Sequence, residues 1–234
     1  MRFILVFPVV LTAMAAFAAQ ALAADPITRV VTFSILLEGQ NIGRHTLAFE
    51  RQGSDQIISL NVDITVQKLG VVAYRFQHRA REVWKVGQLE SLNTSTDDNG
   101  RQYTVEGRQT ARGFEVKRSA PPATSAAEIA NGGIALPEIS RETLPKDTLP
   151  TSLWNVNAVK RSALLHTEFG TIAKVQVEPI GKEAISVGNR NFQAMRYRFT
   201  GDLRMDLWFD DEGSWVKASF AVPAGLTVDY VLDE

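Results

Sequence analysis

The sequence predicts an all-β protein, mainly antiparallel, whose sheet curls strongly into an open or half β-barrel. Apolar and polar residues alternate with period 2 wherever a pattern is legible, and helical periodicity is scarce. Turn signals, of which Asn99-Gly100 is the strongest, separate the alternating segments. The segments amount to about ten or eleven strands, too many for an uncurled, strongly twisted sheet.

Composition limits the classes of function. The 234 residues are 45% hydrophobic and 22% charged, which is typical of a folded globular chain. The formal net charge of -1 gives no bulk field to attract nucleic acid, so no nucleic-acid partner is expected. Because the chain has no cysteine, disulfides, thiolate nucleophiles and the lipid-bearing cysteine of a bacterial lipoprotein are excluded.

The first 23 residues have the order of a secretory signal peptide. Arg2 precedes an apolar run, and a small-residue segment ends in Ala21-Leu22-Ala23, which matches a cleavage site. We expect cleavage after Ala23 and a single barrel-like domain over residues 24–234. A membrane anchor would need roughly 20 unbroken apolar residues, and Pro8 interrupts the run. The expected location is the periplasm or the exterior, in soluble form and with no transmembrane segment after cleavage.

Seven strands are predicted before residue 119. They cover residues 30–37, 42–51, 57–67, 71–86, 89–96, 102–108 and 114–118. The fourth is the longest. Alternation puts its aromatic residues on one face and Arg75, Arg79 and Arg81 on the other, which must therefore be wet.

Residues 119–150 differ in texture, with five prolines and the pair Gly132-Gly133. This segment is either a linker between two domains or a loop that crosses one sheet. Similar amphipathic strands lie on both sides of it, which favours one continuous sheet with a Pro-rich crossing loop. After it, Thr151 or Ser152 is predicted to cap the one short helix, which would run to about Ala158.

The remaining strands are predicted over residues 171–178, 184–187 and 192–200, followed by two hairpins and a last strand that ends near Leu232. Loops at residues 200–202 and 212–213 keep the apolar side chains of both hairpins on one face. The predicted pairs are Phe199 with Leu203, Arg196 with Asp206, Phe209 with Val216, Leu207 with Ala218, and Trp208 with Lys217.

Familiar catalytic signatures are missing from the sequence. The glycines form neither a P-loop nor a G-x-G-x-x-G turn, and His45, His78 and His166 lack the spacing of metal ligands. No cofactor or metal is therefore expected. Asp97-Asp98-Asn99-Gly100 is interpreted as a hairpin turn and not as a calcium loop. No nucleophile elbow surrounds Ser152, which favours a cap over a nucleophile.

One apolar stripe contains two ionisable residues, His78 and Glu82. Residues four apart on a strand are separated by roughly 13 Å, so the two cannot pair directly. Either they line a ligand cavity, where they could perform acid–base work, or each is satisfied by other strands or by solvent. The predicted ligand-binding residues are the members of this stripe: Tyr74, Phe76, His78, Glu82 and Trp84.

Five stretches of the chain resemble a family of exported bacterial proteins known as a domain of unknown function. They are residues 33–49, 74–92, 94–100, 150–155 and 197–215. The resemblance covers nearly the whole mature chain and implies a curved, open-barrel sheet, but it brings no catalytic residue with it. The architecture is distantly similar to the half-barrel lipoprotein carriers of the Gram-negative envelope, without the lipidated cysteine of their outer-membrane receptor member.

Three functions are compatible with the sequence. The leading hypothesis is a non-enzymatic periplasmic protein that binds a lipid or another apolar or amphipathic envelope ligand in the concave face of the sheet. The second is a hydrolase that uses His78 and Glu82. The third is an accessory module that binds an envelope protein through an arginine face, with Arg196, Arg198 and Arg204 joining the arginines of the fourth strand.

Overall fold

The computed structural model describes residues 29–122, 137–187 and 190–233, so the predicted signal peptide lies outside the described residues. The described chain forms fourteen strands and two short 3-10 helices. The strands are β1 (Arg29–Leu37), β2 (Gln40–Gln52), β3 (Asp55–Lys68), β4 (Val71–Lys85), β5 (Gln88–Asp98), β6 (Arg101–Gln109), β7 (Phe114–Ala120), β8 (Glu138–Leu144), β9 (Ala163–Leu165), β10 (Ile172–Val187), β11 (Arg190–Gly201), β12 (Met205–Asp210), β13 (Trp215–Val222) and β14 (Leu226–Leu232). The helices are η1 (Val156–Lys160) and η2 (Pro223–Gly225).

All fourteen strands belong to one antiparallel sheet. Its order is β8-β7-β6-β5-β4-β3-β2-β1-β14-β13-β12-β11-β10-β9, so each half of the chain builds a meander and β1 pairs with β14 where the halves meet. Strands β8 and β9 form the two edges, and the sheet does not close by hydrogen bonds between them. The predicted class, an all-β, antiparallel, open curved sheet, is confirmed.

The concave face of the sheet carries the core. Alternate residues of most strands point to this face and join one hydrophobic cluster, in which Phe33, Leu47, Leu92 and Leu207 are at most 1% exposed. Burial of these side chains is the main favourable contribution to folding. The concave face is therefore largely filled by the chain's own side chains.

The curvature is visible in contacts between strands that are far apart in the sheet. The turn between β9 and β10 reaches β5, where Thr94 donates a hydrogen bond to the carbonyl of Thr167 over 2.8 Å. In the same turn, Gly170 lies so close to β6 and β7 that an added Cβ would lie 2.9 to 3.0 Å from atoms of Arg118 and Val105. The two halves of the meander thus face each other across the core.

A long connection joins the two edges. After β8 at one edge, residues 145–162 run to β9 at the other edge, and we call them the crossing segment. The amide of Thr151 donates to the carbonyl of Leu165, and the amide of Leu165 donates to the carbonyl of Leu149, so the segment adds a short parallel bridge beside β9.

The predicted crossing loop over residues 119–150 is more structured than its prolines indicated. Its described part contains the end of β7 and the whole of β8, which pairs with β7 from Phe114↔Leu144 to Ala120↔Glu138. Residues 123–136, which include Gly132-Gly133, lie outside the described residues. The crossing itself begins only after Leu144.

The predicted helix start was wrong. Asn155, and not Thr151 or Ser152, caps η1, because its side chain accepts a hydrogen bond from the amide of Asn157. The helix is a single 3-10 turn of five residues that ends at Lys160. Ser152 lies buried before it, against the core.

The predicted hairpin registers were partly right. Trp208 pairs with Lys217 and Leu207 with Ala218, as expected, but a bulge after Trp208 puts Phe209 opposite Trp215 and not Val216. Strand β11 is shifted by two residues from the prediction, with Phe199 opposite Met205 and Arg198 opposite Asp206. Because a shift of two residues keeps every side chain on its face, the predicted faces are correct although the predicted pairs of β11 are wrong.

Candidate functional site

The predicted ligand-binding residues follow one another along the concave side of β4. Tyr74 lies at the exposed end, where its hydroxyl donates to Asp98 over 2.8 Å, and Phe76 is partly buried. His78, Glu82 and Trp84 are buried. With Ala80 between them, His78 and Glu82 belong to two separate polar clusters, one towards each end of β4.

Glu82 anchors the first cluster. Its side chain is fully buried, and its Oε2 accepts hydrogen bonds from the indole N–H groups of Trp84, over 2.8 Å, and Trp154, over 3.1 Å. Burial raises the pKa of Glu82, although the nearby Ser152 hydroxyl and the hydrogen bonds from both tryptophans oppose the rise. A single carboxyl group therefore ties the crossing segment to β4.

Ser152 lies beside the same carboxyl group. Its Oγ and the Oε1 of Glu82 are buried without a hydrogen bond of normal geometry to any described atom. The hydroxyl nevertheless lies close enough to lower the pKa of Glu82. Ser152 thus faces a carboxyl group held by two indoles, which is the environment of a structural contact and not that of an activated nucleophile.

Trp154 forms one wall of a cleft of about 300 Å³ between the crossing segment and the concave face. Its ring packs edge-on against Phe49, with centroids 5.6 Å apart, and against Trp84 at 5.3 Å. The apolar lining is supplied by Val31, Phe33, Leu47, Phe49, Trp154, Val156 and Trp215. Polar groups of Arg29, Gln56, Asn155 and Ser214 complete the lining.

The floor of the cleft is a stack of aromatic rings. Phe33 and Trp215 stack with centroids 3.9 Å apart, and His45 packs edge-on against Trp215 at 5.3 Å. Behind these rings, Tyr230 packs edge-on against His45, with centroids 5.7 Å apart, and lies 5.9 Å from Trp215. These rings come from β1, β2, β13 and β14, so the floor lies where the two halves of the sheet meet.

His45 connects the floor to the second polar cluster. It is 3% exposed, and neither ring nitrogen has a hydrogen-bond partner among the described atoms. Burial, reinforced by the charge of His78, lowers the pKa of His45 to about 3, while Glu168 acts in the opposite direction. The imidazole is therefore neutral at physiological pH.

His78 and Glu168 belong to this second cluster. Nδ1 of His78 lies 2.8 Å from the hydroxyl of Thr96 on the neighbouring strand, and its Nε2 has no partner among the described atoms. Burial also lowers the pKa of His78, with Glu168 acting against it. Burial opposes ionisation of Glu168 as well, but His166, whose Nδ1 lies 2.5 Å from Oε2 of Glu168, outweighs it and lowers the pKa of Glu168 to about 2.

All three histidines of the chain thus lie within electrostatic reach of Glu168, although they are far apart in the sequence. Sequence analysis missed this convergence, because it depends on the curvature that brings the β9–β10 turn onto β5. The place of the cleft and the contact between Trp154 and Glu82 were not predicted either. The place of His45 on the concave face was available from the alternation of Phe33, His45 and Leu47 across β1 and β2.

Neither a metal centre nor a single arginine face is found in the described parts of the chain. No three His, Cys, Asp or Glu side chains there are grouped so that they could hold a metal ion. The arginines of β4 and β11 are separated by six strands, and Arg79 pairs with Asp63 while Arg196 and Arg198 share Asp206. The described residues contain no helix that is long and apolar enough to cross a membrane.

Comparison with known proteins shows the family. No curated protein sequence matches the chain. Residues 33–233 match the model of a family described as a domain of unknown function, DUF6134, and this match includes both polar clusters and all but the first residues of the cleft. Because the match covers well over half of the chain, the protein belongs to the DUF6134 family.

Proposed function

We propose that the protein binds a small apolar or amphipathic ligand in the cleft between the crossing segment and the concave face. The observation that carries the proposal is the cleft of about 300 Å³, which has an aromatic floor and a polar rim. This volume lies at the small end of the range for ligand pockets, and an apolar lining with a few polar groups is typical of them.

The lining indicates the chemistry of the ligand. Phe33, Phe49, Trp154 and Trp215 offer ring faces and edges to an acyl chain or an aromatic group. Among the described residues of the lining, Arg29 is the one that carries a charge, and its guanidinium would pair with a carboxylate or phosphate head group. A fatty acid of medium length, or an aromatic acid, combines both features.

Two residues of the predicted stripe on β4 support the wall of this cleft. Glu82 and Trp84 do not line it, but both hold Trp154, so we assign them the role of positioning residues. Tyr74, Phe76 and His78 lie towards the other end of β4, outside the lining of the cleft. The geometry does not favour a hydrolase, because His78 and Glu82 occupy separate buried clusters.

An envelope location supports the choice of ligand. Residues 1–23 have the composition and order of a signal peptide, and a protein exported to the periplasm would meet lipids and their breakdown products there. The intact mass of the protein purified from the periplasm tests this step. We expect a chain that begins at Ala24, and a mass that includes residues 1–23 would contradict the assignment.

Titration with a fluorescent fatty acyl probe tests the proposed function. Val31→Trp places a large ring inside the cleft, whereas Val30→Trp makes the same change on the next residue, which is 58% exposed and points away from the core. We expect saturable binding by the wild type and Val30→Trp, and affinity lower by about tenfold or more in Val31→Trp, because the added ring takes up ligand space. Equal affinity in both variants, or the absence of saturable uptake by delipidated wild type, would refute the proposal.

A further inference from the structure

The hairpin of β3 and β4 projects beyond its neighbours. Strand β2 pairs with β3 only up to Gly43↔Ile64, and β5 pairs with β4 only from Phe76↔Asp98. Residues 65–75, which we call the arm, therefore form ladder pairs only with one another. Three hydrogen bonds hold the base of the arm to the next hairpin. The amide of Asn99 donates to the carbonyl of Arg75, the amide of Arg75 donates to the side-chain oxygen of Asn99, and the hydroxyl of Tyr74 donates to Asp98.

The end of the arm is apolar and exposed. Leu69 is 97% exposed, Val71 69%, Val72 54% and Tyr74 36%. These four residues lie within six consecutive positions at the end of one hairpin, so exposed apolar side chains are concentrated there. In water, these exposed apolar side chains contribute no free energy of burial to the fold.

The turn at the end of the arm holds Leu69 in an unfavourable conformation. Leu69 and Gly70 have φ of +52° and +77°, as in a two-residue hairpin turn. Asn99 has the same φ in the neighbouring hairpin, and asparagine tolerates it far better than leucine does. Val86 shows that strain alone does not define a site, because it has φ of +49° and is 96% exposed without an apolar patch around it.

The charges of the arm are all positive. Lys68 next to the turn and Arg75 at the base are the only ionisable groups between residues 65 and 75 besides Tyr74. The acidic residues next to the arm lie at its base: Asp63 on β3, and Asp97 and Asp98 at the end of β5, where Asp98 accepts a hydrogen bond from Tyr74. An apolar tip with a cationic collar is complementary to an anionic surface that has an apolar interior.

We propose that the arm docks the protein on an anionic phospholipid bilayer, with Leu69, Val71 and Val72 entering the head-group region. Aliphatic tips insert there, tyrosine prefers the boundary between apolar and wet regions, and lysine and arginine contact anionic lipid head groups. A protein partner fits less well, because a stable protein interface draws on about 20–30 residues a side and this patch has four apolar side chains. The arm and the cleft share no residue, so a failure of membrane binding would leave the proposed ligand untouched.

A local probe gives the first test. Because the chain has no cysteine, Leu69→Cys and Val86→Cys each offer a single thiol for a polarity-sensitive nitrobenzoxadiazole dye. Both sites are exposed turn positions, and they lie at opposite ends of β4. On addition of phosphatidylethanolamine–phosphatidylglycerol vesicles, we expect a blue shift and increased emission only for the dye at position 69. No change at position 69, or equal changes at both positions, would refute the proposal.

Sedimentation with the same vesicles gives the second test. Leu69→Asn and Val86→Asn both replace a strained aliphatic residue by one that suits the turn, so neither should impair folding. We expect the vesicle affinity of Leu69→Asn to fall about tenfold and that of Lys68→Glu about fivefold, while Val86→Asn binds like the wild type. All variants carry the same N-terminal segment, so differences between them report on the arm. Unchanged affinity in Leu69→Asn would overturn the proposal, as would a wild type that binds a protein partner through the arm but no vesicles.

Discussion

His45 shows what the interior of the sheet demands of a single residue. Its imidazole lies among the rings of Phe33, Trp215 and Tyr230 with no hydrogen-bond partner among the described atoms. Its pKa falls from 6.5 to about 3, because a buried imidazolium would lose its hydration. The folded state therefore binds fewer protons than the unfolded chain between these two values.

This shift predicts how stability depends on pH. The contribution of His45 is fully present above pH 6.5 and is lost as pH falls towards 3, with a total on the order of 5 kcal/mol. Glu168, whose pKa falls to about 2, adds a loss at lower pH that solvent exposure of its side chain reduces. Replacing His45 by phenylalanine removes the first contribution.

Urea unfolding at a series of pH values measures the effect. We expect the free energy of unfolding of His45→Phe to decline less steeply between pH 6.5 and 3 than that of the wild type. Parallel curves for the two proteins would show that His45 does not titrate as a buried group.

At the scale of single residues, the sequence predicts the face on which a side chain lies but not its partners. Alternation placed His78, Glu82 and Trp84 on one face, and the structure confirms that face. Alternation carries no information about which residues meet across the sheet. Glu168 comes from a turn next to the far edge and Trp154 from the crossing segment, so neither partner was predictable from the pattern of β4.

Among the elements, the crossing segment has the most influence on the site. It buries Ser152 and places the indole of Trp154 against Glu82. The hydrogen bond from Thr151 to β9 and an ion pair between Arg161 and Asp147 hold the segment in place. Its conformation depends on tertiary contacts and not on local propensity. The sequence predicts one short helix here, from its capping residues to about Ala158, whereas the structure has one 3-10 turn over Val156–Lys160.

Two substitutions separate the roles of the Trp154 ring and its N–H group. Trp154→Phe keeps an aromatic ring next to Phe49 and Trp84 but leaves one indole fewer on Glu82, for which we expect a loss of about 1 kcal/mol in the free energy of unfolding. Trp154→Ala removes the wall of the cleft, and we expect a loss of about 3 kcal/mol or more.

Urea unfolding and limited proteolysis within residues 145–162 check both expectations. Cleavage of this segment should be fast in Trp154→Ala and close to the wild-type rate in Trp154→Phe. If Trp154→Ala unfolds like the wild type and resists cleavage, the indole does not anchor the segment.

The strands themselves were more predictable than their connections. The alternation located β1 to β7 and the last hairpins, because each strand has one wet and one buried face. It missed β8, whose residues are exposed except for Leu144, and β9, which has only three residues. It also divided β10, whose bulge between Pro179 and Gly181 interrupts the alternation.

At the scale of the whole molecule, the concave face of the open sheet carries a filled core and a small accessible cleft. A carrier with an empty interior would enclose a long lipid, but here the core fills most of the concave face. The cleft lies where the crossing segment stands away from β1 and β2. The arm projects from the opposite end of β3 and β4, so a membrane contact there leaves the cleft free to exchange its ligand.

Photoaffinity labelling is the decisive test of ligand binding in the cleft, because it reports where a ligand binds. The probe is a medium-chain fatty acid that carries a diazirine, and the readout is peptide mapping of the adducts. We expect saturable adducts on peptides that contain Val31 and Phe33, Phe49, Trp154 or Trp215, and an excess of the unmodified acid should suppress them. Adducts confined to the arm, or spread over the outer face without competition, would contradict binding in the cleft.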